Sequence, residues 1–266
     1  SVPNLASKVV LVTGASRGIG EAVARRFAAD GAAVAVTART VEEGDHPFPG
    51  SLSATVRSIT DAGGTALAVA ADLGRSEDRA RLVETVAREL GPVDVLVNNA
   101  AITYFEPVAD FRENHYQLMF EVQVRAAFDL AQKVLPGMRE RKSGWILNIS
   151  SPAAIHPTGP PYLAVMPGGT VYGMCKAALE RFTTGLAAEV YADGIAVNVL
   201  SPSGLVPTPG VVHHHLDKLV PKEFHEPPSY MAEASYALCT GDPASLTGRI
   251  AFSRPLLEEL GIDLPA

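Results

Sequence analysis

The chain has 266 residues, of which 47% are hydrophobic and 19% are charged, and its formal net charge is -7. Such a composition supplies enough aliphatic side chains for a large core, argues against disorder, and offers no excess of positive charge for nucleic acid. Two cysteines, no apolar run of the roughly 18 residues that a membrane span needs, and no signal-peptide pattern predict a cytoplasmic protein without a disulfide framework or membrane contact.

Short runs of β-branched and aliphatic residues recur along the chain, separated by stretches with helical periodicity. The runs are Val9 to Val12, Ala33 to Thr37, Ala66 to Ala70, Val93 to Val97, Trp145 to Ile149 and Ile195 to Leu200. Continuous apolar runs are typical of buried parallel strands, and the intervals suit crossover helices. The sequence therefore predicts an α/β fold over residues 1–266, a single doubly wound Rossmann domain whose parallel sheet carries helices on both faces.

The first predicted strand runs directly into a glycine-rich turn. Residues 8–20 read KVVLVTGASRGIG, and the helical EAVARRFAADG follows. Glycines let the backbone turn off the strand and let a pyrophosphate approach the helix N-terminus, whose unpaired N–H groups attract anions. Strand, turn and helix in this order favour a dinucleotide site over a purely structural loop. The predicted cofactor contacts in this turn are Gly14, Ser16, Arg17, Gly18, Ile19 and Gly20.

The end of the second predicted strand bears on which nucleotide binds. An acid there usually holds the ribose 2′-hydroxyl of NAD, whereas a 2′-phosphate requires a cation. This chain has Arg39 after Thr37 and Ala38, and Arg17 offers a second guanidinium. Two such groups can grip a phosphate from both sides, which predicts NADP(H), although two solvated surface arginines are the alternative. A Pro/Gly-rich insertion, Glu42 to Ser51, follows.

Two further Gly/Pro-rich stretches predict surface loops or lids, at about 152–170 and 201–230, since such segments continue neither a helix nor a central strand.

Between them lie Tyr172 and Lys176, four residues apart. If the chain is helical from Val171 onward, they share one helix face. A nearby ammonium favours the phenolate, so Lys176 would make Tyr172 a usable general base, whereas an exposed Tyr and Lys on a helix is the alternative.

Four motifs together resemble the short-chain dehydrogenases/reductases. They are TGASRGIG at residues 13–20, NNA at 98–100, NISS at 148–151 and YxxxK at 172–176, and the match extends over essentially the whole chain. The resemblance implies an oxidoreductase in which Tyr172 transfers the proton and Lys176 also binds the nicotinamide ribose. Ser151 would polarise the substrate oxygen, with Ser150 as its rival. Because the interval from Ser151 to Tyr172 is longer than is usual in the family, part of 152–170 must loop out.

The resemblance also implies further cofactor contacts. The residues placed beside the adenine are Asp72 and Leu73. Asn99 and Ala100 form the floor of the cofactor site, and Asn98 stabilises the central strand. The residues over the nicotinamide are Pro202, Gly204 and Thr208, and Ser203 is an apparent insertion among them. Finer features are similar to the branch of hydroxysteroid-dehydrogenase-like proteins and citronellol dehydrogenases. That branch implies an apolar alcohol or carbonyl substrate.

Two residues depart from the family pattern. Ala101 stands where NNA is usually followed by glycine, and Gln123 stands where the family carries an asparagine that holds a water linking the lysine to solvent. Gln123 keeps the amide but adds a methylene, and we expect the relay to work. The alternative is a nucleotide-binding sensor or scaffold that has lost turnover.

The remaining expectations concern metals and assembly. His213, His214 and His215 are consecutive and cannot all converge on one ion, so we expect no metal site and read them as a polar lid surface. The family resemblance implies a homo-tetramer or homo-dimer formed through the stretches Glu106 to Leu135 and Val171 to Val190. Both are rich in apolar residues on more than one face.

Overall fold

The computed structural model describes residues 5–162 and 166–265, and they form a parallel sheet with the strand order β3-β2-β1-β4-β5-β6-β7. The strands are β1 (Val9–Thr13), β2 (Ala33–Ala38), β3 (Thr65–Ala70), β4 (Val95–Asn98), β5 (Gly144–Ile149), β6 (Ile195–Ser201) and β7 (Ile250–Phe252). The predicted α/β doubly wound sheet is confirmed. The sequence analysis missed β7, a three-residue edge strand, and placed the start of β4 two residues early.

The helices cover both faces of this sheet. They are α1 (Gly18–Ala29), α2 (Leu52–Asp61), α3 (Ser76–Glu89), α4 (Glu113–Phe120), α5 (Ala126–Arg141), α6 (Thr170–Val190), α7 (Pro209–His213), α8 (Pro228–Thr240) and α9 (Ser253–Glu259). A π-helical turn, Glu121–Arg125, joins α4 to α5. None of the described helices is long and apolar enough to cross a membrane.

Each face of the sheet carries its own hydrophobic core. On one face, the core includes Phe27 of α1, Leu238 of α8 and Val34 of β2, all fully or almost fully buried. On the other, the core includes Leu82 of α3, Leu130 of α5 and Leu96 of β4. Strands that are apolar on both faces therefore follow from the need to contact helices on each side.

The strand order places a crevice at the carboxyl ends of β1 and β4. The chain proceeds outward from β1 through β2 to β3 and then returns to the other side of β1, so loops on either side of that point diverge. In open α/β sheets such a reversal is where ligands bind. The glycine-rich turn follows β1 at this edge, and the NNA motif follows β4.

Both predicted loop regions lie largely outside regular elements. After a 3₁₀ turn at Pro152–Ala154, the chain is irregular until α6 begins at Thr170, with residues 163–165 outside the described part. The second region contains α7 and two 3₁₀ turns, and its ends are joined by an isolated bridge between Leu205 and His225. It is therefore more ordered than a plain loop, and α8 begins within it at Pro228.

Candidate active site

The turn after β1 has the backbone that the glycine pattern predicts. Gly14 and Gly18 have φ angles of +63° and +61°, which non-glycine residues rarely adopt. A Cβ at Gly20 would overlap the Gly14 carbonyl oxygen, so the helix can approach the strand closely only with glycine there. Arg17, the residue before α1, makes no side-chain cap to this helix. The first-turn N–H groups of α1 thus remain able to bind a phosphate, and the cradle fits a dinucleotide.

The NNA motif forms one wall of this turn. The Thr13 hydroxyl accepts hydrogen bonds from the backbone N–H groups of Asn99 and Ala100, both at 3.0 Å. The Asn99 amide donates to the Gly14 carbonyl oxygen at 3.0 Å. These bonds tie the end of β4 to the end of β1 across the crevice. They position Asn99 and Ala100 beside the turn, as the family resemblance implies.

Arg17 and Arg39 lie on the side of the turn next to β2, and their charges are close enough for Arg39 to lower the pKa of Arg17. Burial lowers that pKa most, and the carboxylate of Glu43 opposes the decrease. Arg39 is exposed, whereas Arg17 donates through Nε and Nη2 to the backbone of the insertion after β2. Arg17 is therefore held in place instead of being freely solvated.

Asp72 and Leu73 follow β3, at the same edge of the sheet. The carboxylate of Asp72 accepts a hydrogen bond from the Gly74 N–H at 2.9 Å, which closes a local turn. Leu73 is 6% exposed and packs into the core, while its carbonyl oxygen accepts from the buried Arg79 guanidinium at 2.7 Å. The Leu73 side chain thus packs under the carboxyl edge of the sheet as part of the hydrophobic core.

Ser151, Tyr172 and Lys176 converge although 152–169 intervenes. The Ser151 side chain lies near enough to Tyr172 to lower the pKa of its phenol, and Lys176 Nζ lies 5.6 Å from the centre of the tyrosine ring. Lys176 Nζ donates to the Ile149 carbonyl oxygen at 3.0 Å. Ser150 is different, because its hydroxyl donates to the carboxylate of Glu180 at 3.0 Å. Of the two serines, Ser151 is the one that faces Tyr172.

Burial dominates the electrostatics of this group. It raises the pKa of the Tyr172 phenol, with the nearby Ser151 side chain acting in the opposite direction. It also lowers the pKa of Lys176 to about 8. At neutral pH the phenol is therefore protonated and able to donate, while the lysine is still mainly charged.

Gln123 is buried, at 3% exposure, in the π-helical turn between α4 and α5. Its Nε2 donates to the Ile102 carbonyl oxygen at 2.7 Å. Its Oε1 has no hydrogen-bond partner among the described residues. A buried amide oxygen without a protein partner is a site where an ordered water is expected. The glutamine thus offers the polar oxygen that the family's asparagine would supply.

The segment after β6 contains Pro202, Gly204 and Thr208. The Gly204 N–H donates to the carboxylate of Glu226 at 3.1 Å, and the Ser253 hydroxyl donates to its other oxygen at 2.7 Å. Sequence reasoning missed Glu226, which is 2% exposed, because no local pattern pairs residues this far apart. Thr208 caps α7 and lies against Gly18, whose substituted Cβ would be 3.1 Å from the threonine methyl. The segment after β6 therefore forms the side of the crevice that faces the glycine turn.

His213 and His214, predicted to form a polar lid surface, are exposed but also make ring contacts. The His213 ring lies 4.6 Å from that of Phe48, and the His214 ring lies 5.2 Å from that of Phe105. Phe105 in turn contacts Tyr172, with ring centres 5.8 Å apart. The end of α7 thus reaches both the insertion after β2 and the surroundings of the tyrosine. Sequence carried no signal for these contacts.

Residues 8–216 match the family model described as short chain dehydrogenase. The chain is 37% identical over 203 residues to a short chain dehydrogenase of Pseudocercospora fijiensis, covering 76% of this chain and 60% of the relative. It is also 32% identical over 249 residues to dehydrogenase/reductase SDR family member 4 of Homo sapiens, covering 93% of this chain and 81% of that protein.

Solved structures show the same fold. A metagenomic short-chain oxidoreductase in complex with NADP superimposes with a TM-score of 0.75 at 29% sequence identity. The alignment covers 93% of this chain and 97% of that chain. The family-model match over residues 8–216 includes the glycine turn, the region around Tyr172 and the start of the segment after β6.

Proposed function

Since the chain belongs to the short-chain dehydrogenase family, an oxidoreductase family, we propose that it interconverts an alcohol and a carbonyl compound with NADP(H), Tyr172 serving as general acid and base. The observation that carries the proposal is the convergence of Ser151, Tyr172 and Lys176 at the carboxyl edge of the sheet. Ser151 lies two residues after β5, and the other two lie in α6, which packs against β5 and against the 3₁₀ turn Pro152–Ala154.

Tyr172 transfers the proton. Because burial raises its pKa, the phenol is protonated at neutral pH and donates to the carbonyl oxygen during reduction. Ser151 donates a hydrogen bond to the same substrate oxygen and thereby orients it toward the tyrosine. In the direction of alcohol oxidation the phenolate is the base, so that direction is favoured by higher pH.

Lys176 lowers the cost of forming that phenolate. Its ammonium lies 5.6 Å from the centre of the Tyr172 ring, and a positive charge this close favours the ionised phenol. Only its bond to the Ile149 carbonyl oxygen is made within the described residues, which leaves donors for the nicotinamide ribose. Gln123 holds the water that connects this lysine to solvent through its unpartnered Oε1.

The residues around the crevice fit NADP(H). The glycine turn and the N-terminus of α1 would hold the pyrophosphate. Asn99 and Ala100 would form the floor of the cofactor site, and Gly204 and Thr208 would contact the nicotinamide end. Arg17 and Arg39 would hold the 2′-phosphate, and the end of β2 carries no acid to repel it. When bound, the cofactor supplies or accepts the hydride. An NADP complex of a structural relative supports this choice of nucleotide.

The substrate side of the site is aromatic. Phe105 lies beside Tyr172 and also contacts the lid histidine His214, which supports an apolar alcohol or carbonyl compound as substrate.

We further propose a homo-oligomer that pairs through α5 and α6. Phe128 is 42% exposed and contacts Phe182, and the groove beside them has a volume of about 440 Å³. An exposed aromatic ring that contacts a half-buried one on the adjacent helix suits burial against a second copy.

The experiment that tests the function compares wild type with Tyr172→Phe. Reduction of aliphatic, terpenoid, aromatic and steroid carbonyls is first screened by NADPH oxidation, and the best substrate is then used. The substitution keeps the ring's packing and removes only the hydroxyl, so we expect turnover to fall by about 10²–10⁴-fold while NADPH binding persists. Near-normal turnover of Tyr172→Phe contradicts the mechanism. A wild type that binds NADPH but reduces none of these carbonyls contradicts the activity.

A further inference from the structure

The insertion, residues 42–51, packs directly on the glycine turn. Arg17 Nε donates to the Pro49 carbonyl oxygen at 3.0 Å, and Nη2 donates to the Gly50 carbonyl oxygen at 2.9 Å. Gly50 has a φ of +107°, and a Cβ there would lie 2.6 Å from the Ser16 carbonyl oxygen. The insertion is therefore built against the residues that are proposed to hold the adenosine end of the cofactor.

Within the insertion, His46 and Phe48 form a fixed pair. Nδ1 of His46 accepts a hydrogen bond from the Phe48 N–H at 3.0 Å, and the two ring centres are 4.6 Å apart. Phe48 lies beneath the Arg17 guanidinium, 6.0 Å away, and contacts His213 of α7. Because Nδ1 is the acceptor, a neutral His46 carries its proton on Nε2, which can donate to a ligand.

The charges that reach the His46 ring are basic. After burial, which lowers its pKa most, the further decrease comes from Arg17, Arg39 and His213. The carboxylates of the insertion are engaged in hydrogen bonds of their own. Glu42 accepts from the Ser53 hydroxyl, Glu43 from the Gly50 N–H and Asp45 from the Glu42 N–H. Arg17 and Arg39 can therefore attract an anion beside the His46 ring, while protonation of the ring itself is disfavoured.

We propose that His46 is a specificity-determining residue for the 2′-phosphate of NADP(H), to which it donates a hydrogen bond from Nε2 beside Arg17 and Arg39. The inference rests on the proposed function, in which the two arginines hold that phosphate. A neutral donor suits this position because a third positive charge would be repelled by both guanidinium groups. Hydrogen bonds to charged groups contribute more than neutral ones, so this contact selects NADP over NAD.

The test is calorimetric titration of the purified protein with 2′,5′-ADP and with 5′-AMP, which differ only by the 2′-phosphate. No turnover is needed. We expect His46→Ala to weaken 2′,5′-ADP binding by about tenfold and to leave 5′-AMP binding within twofold of wild type. Arg57→Ala, an exposed cation on α2, is the matched control and should change neither affinity.

Two conservative variants separate direct contact from support of the insertion. His46→Asn keeps an acceptor near the position of Nδ1 for the Phe48 N–H but lacks the distal donor, whereas His46→Gln keeps a donor near the position of Nε2. We expect the Gln variant to retain 2′,5′-ADP binding within about threefold and the Asn variant to lose as much as the Ala variant. Retention by Asn and loss by Gln would overturn the contact, as would equal losses for both ligands.

The outcomes also separate this inference from the proposed function. If wild type binds 2′,5′-ADP no more tightly than 5′-AMP, the NADP preference itself is wrong. If wild type discriminates and Arg39→Ala abolishes the difference, while His46→Ala retains it, the preference stands and only the role of His46 is wrong. Thermal melting of each variant checks that the fold is intact.

Discussion

The buried Lys176 predicts an unusual dependence of stability on pH. Its side chain is 4% exposed, and burial lowers its pKa from 10.5 to about 8, with Cys175 opposing the decrease. In the unfolded chain the lysine keeps its proton up to about pH 10.4. Between these two values the unfolded state binds more protons than the folded state, so the free energy of unfolding rises with pH.

The size of the effect follows from the shift. One pKa unit corresponds to about 1.4 kcal/mol, so burial of the charged Lys176 costs about 3 kcal/mol below pH 8. Raising the pH from 7 to 10 should recover about 2–3 kcal/mol of this, because the folded lysine is then neutral while most unfolded chains are still protonated.

Urea denaturation at pH 7 and pH 10, without nucleotide, measures the effect in wild type and Lys176→Met. The wild-type free energy of unfolding minus that of the variant should be higher at pH 10 by about 2–3 kcal/mol. Burial raises the thiol pKa of both Cys175 and Cys239, so stability is lost from these groups as pH rises; the Cys239 contribution is common to both proteins, whereas the thiol pKa of Cys175 is also lowered by Lys176 itself. Lys222→Met, at an exposed position, serves as the control and should show no such change. An equal difference between wild type and Lys176→Met at both pH values would refute the reasoning.

Three other predictions concern the site, the core and the assembly. Ser151→Ala should lower turnover by about 10–100-fold in steady-state assays, and Ser150→Ala by less than about threefold, since Ser151 lies beside the tyrosine whereas the Ser150 hydroxyl donates to Glu180; equal losses would contradict the assignment. Arg79→Met should lower the free energy of unfolding by about 3–5 kcal/mol in urea, because it removes a 2% exposed cation from two carboxylates. A loss below about 1 kcal/mol would show that these carboxylates are solvated. Phe128→Glu should shift light scattering toward a 28.0 kDa particle, whereas a wild type already of that mass would contradict the proposed pairing.

Local sequence patterns predicted most of the sheet. The apolar runs at β1, β2, β5 and β6 are buried along almost their whole length, so each continuous run of apolar residues predicted a strand. The short β7 (Ile250–Phe252) has no such pattern, because an edge strand of three residues is stabilised by its neighbour β6. The interruption at Glu121–Arg125 was also unmarked, since a π-helical turn has the same composition as the helices beside it.

For the candidate site, the motifs identified side chains but not all of their partners. The spacing of Tyr172 and Lys176 predicted a shared helix face, and the structure places both in α6 with Ser151 against them. The two serines differ in the structure through the position of Glu180, whose carboxylate accepts the hydroxyl of Ser150. Spacing along the chain carries no information about such a contact.

The sequence by itself determined the α/β class, the glycine turn, and the tyrosine and lysine, because each depends on residues that are neighbours in the chain and act through backbone geometry or helical periodicity. Only the tertiary structure decided which distant groups meet at the crevice. The carboxylate of Glu226 joins Gly204 to Ser253, and the insertion brings His46 close to Arg17. These contacts arise from the way loops pack over the carboxyl edge of the sheet, which is determined by the whole fold and not by any local pattern.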